Sequence, residues 1–348
     1  MKITDTIKAT WYLTKLRALN HSKQHNKELS GGILDPQVEL LIHLMQLQGD
    51  VPSRSKMTAP QARADQMMAM VFYRKFSEPV AKVPNVWNSI LPGPAGDIPV
   101  RFYMPEGDGP FPIFVFYHGG GWVLGDLNLA DNFARTISYY GKVSVISVDY
   151  RLAPEHKFPA GLEDCYAAYK WAALPQNASK IRGNVDQLII GGGSAGANLA
   201  AAVALKAKQE NGPKIAQQVL IYPVTNLNDM ETASYQAYGE FPILTKDDMD
   251  WFIQHYINEE SDKQNPFVSP ALASDLSGLP PALVVTAEYD VLADDGRNYA
   301  QKLEAAGVDV KLIEAKGLPH GFVSLREMIK RAHRYSILML QSLNKRIK

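Results

Sequence analysis

The sequence predicts an α/β fold in which a mostly parallel sheet is covered by helices on both faces. Two observations support this prediction. From about residue 86, short continuous apolar segments alternate with segments of helical periodicity, as in β-α-β units. In addition, a glycine-rich turn at residues 191–196 joins one of the apolar segments to an Ala-rich helix. The 348 residues are enough for one large domain with an added subdomain, or for two domains.

The predicted strands are short and rich in β-branched and aromatic side chains, which favour a pleated and buried surface. They lie at residues 100–104, 113–117, 143–148, 188–190, 219–222, 283–286 and 310–313. The predicted helices of this region lie at residues 128–140, 162–173, 195–209, 296–306 and 322–343. Residues 226–264 interrupt the alternation and are interpreted as an insertion, with one helix predicted at residues 247–256.

Residues 1 to about 85 have helical periodicity and no strand pattern. Asp35 before Pro36 is typical of a helix start, because the carboxylate caps the first N–H groups and proline fits the first turn. Thr58 repeats this signal before Pro60. Methionines are frequent in and near the second of these helices and suit a deformable apolar lid. They are Met57, Met67, Met68 and Met70.

The charge balance and the single cysteine argue against several classes of protein. Thirty-six basic residues match thirty-six acidic ones without a basic run, which argues against nucleic acid or an anionic membrane as a partner. Cys165 is the only cysteine, and its apolar helical surroundings favour a core residue over a nucleophile. No segment has the apolar core of a signal peptide or the length of a spanning helix. We expect a cytoplasmic protein; its oligomeric state stays open, and a homodimer is compatible with the sequence.

Gly192, Ser194 and Gly196 form a Gly-x-Ser-x-Gly pattern between a predicted strand and a predicted helix. In a nucleophile elbow of this kind the serine occupies a strained turn, and the flanking glycines leave room for it. The pattern by itself is also compatible with a glycine-rich turn that holds a phosphate at the helix N-terminus. The choice between the two depends on the remaining motifs.

A run of three glycines, Gly119, Gly120 and Gly121, follows the strand predicted at residues 113–117. Acyl transfer places negative charge on the former carbonyl oxygen, and main-chain N–H groups that point at this oxygen stabilise it. Glycines allow the main chain to approach so closely, and the residue after the nucleophile, here Ala195, supplies a second such group in esterases and lipases. The alternative is a flexible glycine loop without a catalytic role.

Asp290 and His320 each follow a predicted strand, so both are expected at the carboxyl edge of the sheet, together with Ser194. A serine nucleophile needs a general base, most often histidine, and the histidine needs a carboxylate that holds its tautomer. The order Ser194, Asp290, His320 along the chain is the order found in α/β-hydrolases.

Other residues compete for these roles. Glu288 lies in the same loop as the predicted acid, and His118 is a second candidate base. Asp294 and Asp295 precede a predicted helix and are interpreted as caps of its first turn. His320 is favoured as the base because it follows the strand after the carboxylate.

Five separated motifs in this order make the chain resemble the hormone-sensitive-lipase-like family of α/β-hydrolase esterases. They are the glycine motif at residues 117–122, the block at residues 149–156, the elbow at residues 192–196, and the acid and base motifs at residues 287–292 and 320–322. The match of the acid motif favours Asp290 over Glu288.

The resemblance implies an α/β-hydrolase fold with a sheet of eight strands and a helical cap. It divides the chain into an N-terminal helical cap segment (1–85), a first part of the core (86–225), a cap insertion (226–265) and a second part of the core (266–348). It also implies a serine carboxylesterase that acts on short- to medium-chain acyl esters, which are small-molecule substrates, without a metal or cofactor. The implied catalytic residues are Ser194, Asp290 and His320, and the implied oxyanion-hole residues are Gly119, Gly120, Gly121 and Ala195.

Two other activities fit the same motifs: an amide deacylase or acyltransferase with the same triad, and a non-catalytic receptor for a small ligand. The chain departs from the family at Gly193, where the family has Asp, at Ala197, where Gly is frequent, and at Val291, where Pro is frequent. An apolar pocket is expected beneath the cap. The residues predicted to line it are Trp122, Leu124, Phe241, Ile243, Leu244, Met249, Phe252 and Phe322.

Overall fold

The computed structural model describes residues 32–47, 53–74 and 80–346, and the predictions for residues 1–31 lie outside these ranges. Eight strands form one sheet: β1 (Asn85–Gly93), β2 (Gly96–Met104), β3 (Phe111–Tyr117), β4 (Ser144–Val148), β5 (Gly183–Gly193), β6 (Gln217–Ile221), β7 (Ala282–Tyr289) and β8 (Val310–Pro319). Their order is β1-β2-β4-β3-β5-β6-β7-β8. β2 is antiparallel to β1 and β4, and all other neighbours are parallel.

Helices cover both faces of this sheet. They are α1 (Pro36–Leu47), α2 (Ala59–Arg74), α3 (Leu127–Gly141), α4 (Ala160–Ala172), α5 (Pro175–Ala178), α6 (Ala195–Gln209), α7 (Ala233–Tyr238), α8 (Lys246–Tyr256), α9 (Ala293–Ala305) and α10 (Lys330–Arg346). Short 3₁₀ helices lie at Arg54–Lys56, Ser179–Ile181, Glu260–Gln264, Pro270–Leu272 and Phe322–Leu325. α4, α6 and α9 pack on one face of the sheet, and α1, α3 and α10 pack on the other. The predicted fold class is confirmed.

The alternation of side chains along the central strands explains the two layers. In β3, Ile113, Val115 and Tyr117 belong to one hydrophobic cluster, whereas Phe114 and Phe116 belong to the other. All five side chains are buried, so the strand is apolar on both faces and appears in the sequence as a continuous apolar run.

β1 is the strand that the residue pattern did not predict. It forms the edge of the sheet and pairs only with β2, and most of its residues are exposed or half-buried. Trp87 and Ile90 are 36% and 60% exposed. An exposed edge strand needs no continuous apolar run, so its pattern is weak. The eight strands implied by the family resemblance are present.

The helix predicted at residues 322–343 is confirmed from Lys330 onward but not before it, because Phe322–Leu325 form a 3₁₀ helix and the chain turns between Leu325 and Lys330. The buried Arg326 side chain stabilises this turn. Its guanidinium donates to the carbonyl oxygen of Val323 at 2.8 Å and to Thr136 Oγ1 at 2.8 Å, and it pairs with Glu327. The helical periodicity continues across the break, so the sequence did not reveal it.

Asp294 and Asp295 do not cap α9, which begins at Ala293 without a capping side chain. Asp294 Oδ2 instead accepts from the N–H of Ser234 at 2.8 Å. Asp295 Oδ2 accepts from the N–H groups of Thr225 and Asn226 at 2.7 and 3.0 Å. Asp295 therefore holds the main chain just beyond β6, and the predicted capping role is wrong.

Asp295→Asn is expected to flatten the pH dependence of stability. Burial raises the pKa of Asp295 to about 7, and the charges of Asp290 and Asp229 add to this shift. Because the folded carboxyl holds its proton more tightly than the unfolded one, its stabilising effect is complete below about pH 4 and is lost as the pH rises to about 7. One pKa unit corresponds to about 1.4 kcal/mol, so the loss amounts to a few kcal/mol.

Urea denaturation at several pH values across this window measures the effect. The free energy of unfolding of wild type, minus that of the variant, is expected to decrease with rising pH. Parallel pH profiles for the two proteins would contradict the prediction.

Candidate active site

Ser194 lies at the sharp turn between β5 and α6. Its φ and ψ angles are 57° and −122°, a conformation that costs energy for a residue with a side chain. A Cβ atom at Gly192 would lie 2.3 Å from the carbonyl oxygen of Tyr117, and one at Gly196 would lie 2.0 Å from the same oxygen. Glycine is therefore required on both sides of Ser194 by the close approach of β3.

Ser194, His320 and Asp290 form a continuous chain of hydrogen bonds. Ser194 Oγ lies 3.0 Å from His320 Nε2, and His320 Nδ1 lies 2.7 Å from Asp290 Oδ2. The other carboxylate oxygen of Asp290 accepts from the N–H of Leu292 at 2.9 Å. Asp290 is 1% exposed, so the carboxylate lies behind the imidazole and away from solvent. This arrangement allows His320 to accept the serine proton while Asp290 stabilises the imidazolium.

The competing acid, Glu288, is bound elsewhere. Its Oε1 and Oε2 atoms accept from the N–H groups of Gly32 and Gly317, each at 2.6 Å. The carboxylate therefore joins β7 to β8 and to the segment before α1. This contact is a structural role and leaves Asp290 as the partner of His320.

The competing base, His118, is the first residue of the glycine loop, which we define as residues 118–122, and its side chain is buried. Its ring stacks on Tyr150 with centroids 4.3 Å apart, and its Nδ1 lies 2.8 Å from the carbonyl oxygen of Gly119. Burial lowers the pKa of His118, which keeps the imidazole neutral. Its hydrogen bond thus supports the glycine loop rather than the serine.

The glycine loop packs closely against its neighbours. A Cβ atom at Gly119 would lie 2.9 Å from the carbonyl oxygen of Gly193, and one at Gly121 would lie 2.1 Å from the ring of Phe252. Gly120 and Gly121 have φ angles of 125° and 58°, which favour glycine. Ala195 is the first residue of α6, so its N–H has no acceptor within the helix. All four predicted residues, including Ala195, therefore lie beside Ser194 or in the loop that packs against it.

A cavity of about 390 Å³ opens above Ser194 and His320. Six of the eight predicted lining residues contribute to it: Trp122, Leu124, Ile243, Leu244, Met249 and Phe252. The other two lie elsewhere, since Phe241 packs against Tyr289 and Phe322 packs behind Tyr222. Of the predicted lid methionines, Met70 lines the cavity, whereas Met67 and Met68 are 54% and 66% exposed.

Tyr222 is a residue of this site that the sequence analysis missed. It follows β6, has a φ angle of 38°, and lies with its ring centroid 4.6 Å from that of His320. A Cβ atom at Gly193 would lie 3.1 Å from the same tyrosine ring. The Tyr-Pro pair at the end of a strand was the available signal, but only the fold shows that its ring contacts the imidazole.

Gly193→Ala is expected to lower kcat about tenfold, because a small displacement of a catalytic group is costly. The added methyl group requires Tyr222 to move by a few tenths of an ångström, and that ring is buried between His320 and Phe322. Steady-state hydrolysis of a p-nitrophenyl ester measures the change. Gly141→Ala, whose Cβ would lie no closer than 3.6 Å to any neighbour, is the matched control. Equal kcat values for both variants would disprove the effect.

Other chemistry is limited in the described ranges. No group of three or more His, Cys, Asp or Glu side chains is arranged to hold a metal ion among residues 32–47, 53–74 and 80–346. Cys165 is fully buried, and burial raises the pKa of its thiol, which disfavours the reactive thiolate. In the same ranges, each helix is too short or too polar to span a bilayer.

Comparison with known proteins identifies the family. A family model described as the alpha/beta hydrolase fold matches residues 114–324, which is more than half of the chain. The chain belongs to the α/β-hydrolase family. This α/β-hydrolase is 44% identical over 250 residues to the carboxylic ester hydrolase LipN of Mycobacterium tuberculosis, covering 70% of this chain and 66% of the relative. It is also 35% identical over 256 residues to an ethyl acetate hydrolase of Pseudomonas putida, covering 72% of this chain and 79% of the relative.

A solved structure gives the same result for the whole fold. The esterase of the archaeon Pyrobaculum calidifontis superposes on this α/β-hydrolase with a TM-score of 0.85 at 36% sequence identity. The superposition covers 90% of this chain and 98% of that chain. The resemblance to hormone-sensitive-lipase-like esterases is thereby confirmed.

Proposed function

We propose that this α/β-hydrolase is a serine carboxylesterase that cleaves short- to medium-chain acyl esters through an acyl-enzyme on Ser194. The hydrogen-bond chain from Ser194 through His320 to Asp290 carries the proposal, because it joins a nucleophile, a base and a buried carboxylate at one cavity. Ester hydrolysis is supported by relatives that are named carboxylic ester hydrolases and esterases. The protein is a carboxylic ester hydrolase, and the finer assignments follow from its own residues.

In the first step Ser194 Oγ attacks the ester carbonyl carbon, and its proton passes to His320 Nε2. The carbonyl oxygen becomes an oxyanion, to which Gly120, Gly121 and Ala195 would donate their N–H groups. When the C–O bond to the alcohol breaks, His320 gives its proton to the leaving oxygen, and the acyl group stays on Ser194.

In the second step water attacks the acyl-enzyme, with His320 again accepting the proton. The oxyanion forms at the same position, and the carboxylic acid leaves when Ser194 Oγ regains its proton. Asp290 takes up no proton in this mechanism and stabilises the imidazolium in both steps. Every proton transfer is thus assigned to His320.

The size and lining of the cavity support the substrate class. A volume of about 390 Å³ lies at the lower end of the range for small-molecule sites, roughly 300–1,000 Å³. Its walls near α8 are apolar, with Leu244, Met249 and Phe252 among them. A short or medium acyl chain fits such a site better than a long one.

The predicted cap is part of the proposal. The N-terminal segment and the insertion contact each other above the cavity: Arg54 Nη1 lies 2.9 Å from Asp248 Oδ1, and Trp251 Nε1 donates to the carbonyl oxygen of Met57 at 3.1 Å. Gln66 and Met249 both line the cavity, one from each segment. These contacts support a cap formed by residues 1–85 and 226–265.

A series of p-nitrophenyl esters with acyl chains of about two to twelve carbons tests the substrate class. We expect kcat/KM to be highest for short and medium chains and to fall for longer ones. Matched p-nitroanilides in the same assay test the amide alternative, for which the relatives give no support. A preference for anilides, or for the longest acyl chains, would contradict the proposal.

The cytoplasmic location, the lack of nucleic-acid partners and the homodimer stay predictions.

A further inference from the structure

Arg63 connects the cap helix α2 to the loop beside the active site. Its Nε donates to the carbonyl oxygen of Val123 at 2.8 Å, and its Nη2 donates to the carbonyl oxygen of Ala153 at 2.9 Å. Nη1 and Nη2 also bind the two carboxylate oxygens of Glu155 at 2.8 and 2.6 Å. One planar guanidinium therefore joins three segments that are remote in sequence.

The two residues whose carbonyl oxygens accept from Arg63, Val123 and Ala153, also form hydrogen bonds with the glycine loop. Val123 follows this loop directly, and the N–H groups of Val123 and Leu124 donate to the carbonyl oxygen of Gly120 at 3.1 and 2.8 Å. The N–H of Ala153 donates to the carbonyl oxygen of Trp122 at 2.9 Å. A shift of Val123 would therefore move the peptide group that joins Gly120 to Gly121 and carries the N–H of Gly121, and a shift of Ala153 would move the end of the loop at Trp122.

Arg63 also belongs to the face of α2 that borders the cavity. Gln66 and Met70 follow it by three and seven residues, a spacing that places all three on one side of a helix, and both line the cavity. The position of α2 over the substrate site and the position of the glycine loop are thus linked by one side chain.

We propose that Arg63 is a positioning residue that sets the glycine loop for oxyanion binding and couples it to the cap. This inference rests on the proposed function, because it assumes that Gly120 and Gly121 donate to the oxyanion. Arginine suits the role, since its fixed fork of N–H groups serves a carboxylate and two carbonyl oxygens at once. The ammonium of lysine lacks this geometry.

A purely structural role is the alternative, in which Arg63 only attaches the cap. The two roles differ in what they do to properly folded molecules. A structural contact changes the fraction of active protein or its melting temperature, whereas a positioning contact changes kcat per active site and the affinity for a transition-state analogue. Titration of active sites with a fluorophosphonate separates these quantities.

Arg63→Ala and Arg63→Lys are compared with wild type on p-nitrophenyl butanoate, with rates divided by the titrated site concentration. We expect kcat per site to fall about 10- to 100-fold in both variants, with a smaller change in KM. The affinity for a trifluoromethyl ketone, whose adduct with Ser194 carries an oxyanion, should fall by the same factor as kcat/KM. Millimolar guanidinium should restore part of the activity of Arg63→Ala.

Lys208→Ala is the matched control. Lys208 is equally exposed and also binds a carboxylate and a carbonyl oxygen, both of Asp275, but it lies on α6 away from the glycine loop. The Lys208→Ala variant should have the kcat per site of wild type and should show no response to guanidinium. If Arg63→Ala does not fold, Glu155→Gln provides the test instead. This variant keeps Arg63 but weakens the ion pair that holds its guanidinium, and it should reduce kcat a few-fold.

Wild-type kcat per site in the Arg63 variants, whatever their melting temperatures, would overturn the inference. So would a loss of activity that matches the loss of titrated sites. If the proposed function itself were wrong, the result would differ, because the wild-type protein would then neither be labelled by the fluorophosphonate nor hydrolyse the ester.

Discussion

Ser194→Ala is expected to lower kcat for a p-nitrophenyl ester by about four to six orders of magnitude. The reason is that Ser194 Oγ forms the acyl bond in the proposed mechanism, and no other hydroxyl of the described chain is placed at His320 Nε2. The residual rate would come from substrate binding and from the N–H groups of the glycine loop. Steady-state kinetics measure the loss, and labelling by a fluorophosphonate should disappear with it.

Ser147→Ala serves as the control for this variant. Ser147 is buried on β4, and its hydroxyl has no hydrogen-bond partner among the described residues. Removing an unsatisfied buried hydroxyl should keep kcat and leave the free energy of unfolding equal or higher. If Ser194→Ala retained more than about a hundredth of the wild-type turnover, Ser194 would not be the nucleophile.

Asp290→Asn is expected to lower kcat by about four orders of magnitude while the protein stays folded. The Asp290 carboxylate accepts a hydrogen bond from Nδ1–H of His320, which leaves the Nε2 lone pair free to accept the proton of Ser194. An asparagine amide can donate to Nδ1 instead, which favours the tautomer with the proton on Nε2. That tautomer cannot act as the base, so the fold is kept and the chemistry is lost.

Glu288→Gln is the informative comparison, because it changes the competing carboxylate, which lies on β7 two residues before Asp290. A glutamine has one acceptor oxygen, so it can keep only one of the two contacts with Gly32 and Gly317. We expect a lower melting temperature with kcat within about threefold of wild type, since a lost hydrogen bond costs stability rather than chemistry. A larger loss of kcat in Glu288→Gln than in Asp290→Asn would reverse the assignment of the acid.

Much of the fold and of the candidate site could be predicted because each signal lies within a few residues. Strands that are buried on both faces are nearly continuous apolar runs, and β3 and the first part of β7 therefore stand out in the sequence. The elbow needs glycine on both sides of Ser194, since Tyr117 leaves no room for a Cβ atom at either position. The alternation of strands and helices then places the residues after each strand at one edge of the sheet.

The wrong and missing predictions have two physical origins, which are low burial and contacts with distant segments of the chain. β1 is an edge strand with little buried surface, so no continuous apolar run marks it. Arg326 interrupts the predicted last helix through a hydrogen bond to Thr136, which lies 190 residues earlier in the chain. Asp295 has the sequence context of a helix cap but binds Thr225, which lies 70 residues earlier.

By itself, the sequence determined the α/β class, the elbow at Ser194 and the order of the candidate nucleophile, acid and base. These follow from local rules: periodicity, glycine where a side chain does not fit, and a carboxylate or imidazole after a strand. The tertiary structure added the contacts: Asp290 binds His320 whereas Glu288 binds Gly32 and Gly317, Tyr222 lies against the imidazole, and Arg63 binds the main chain next to the glycine loop. Such contacts join segments that are far apart in the chain; Arg63 and Glu155, for example, are separated by 92 residues. Contacts over such separations produce no local sequence pattern, so the sequence alone does not predict them.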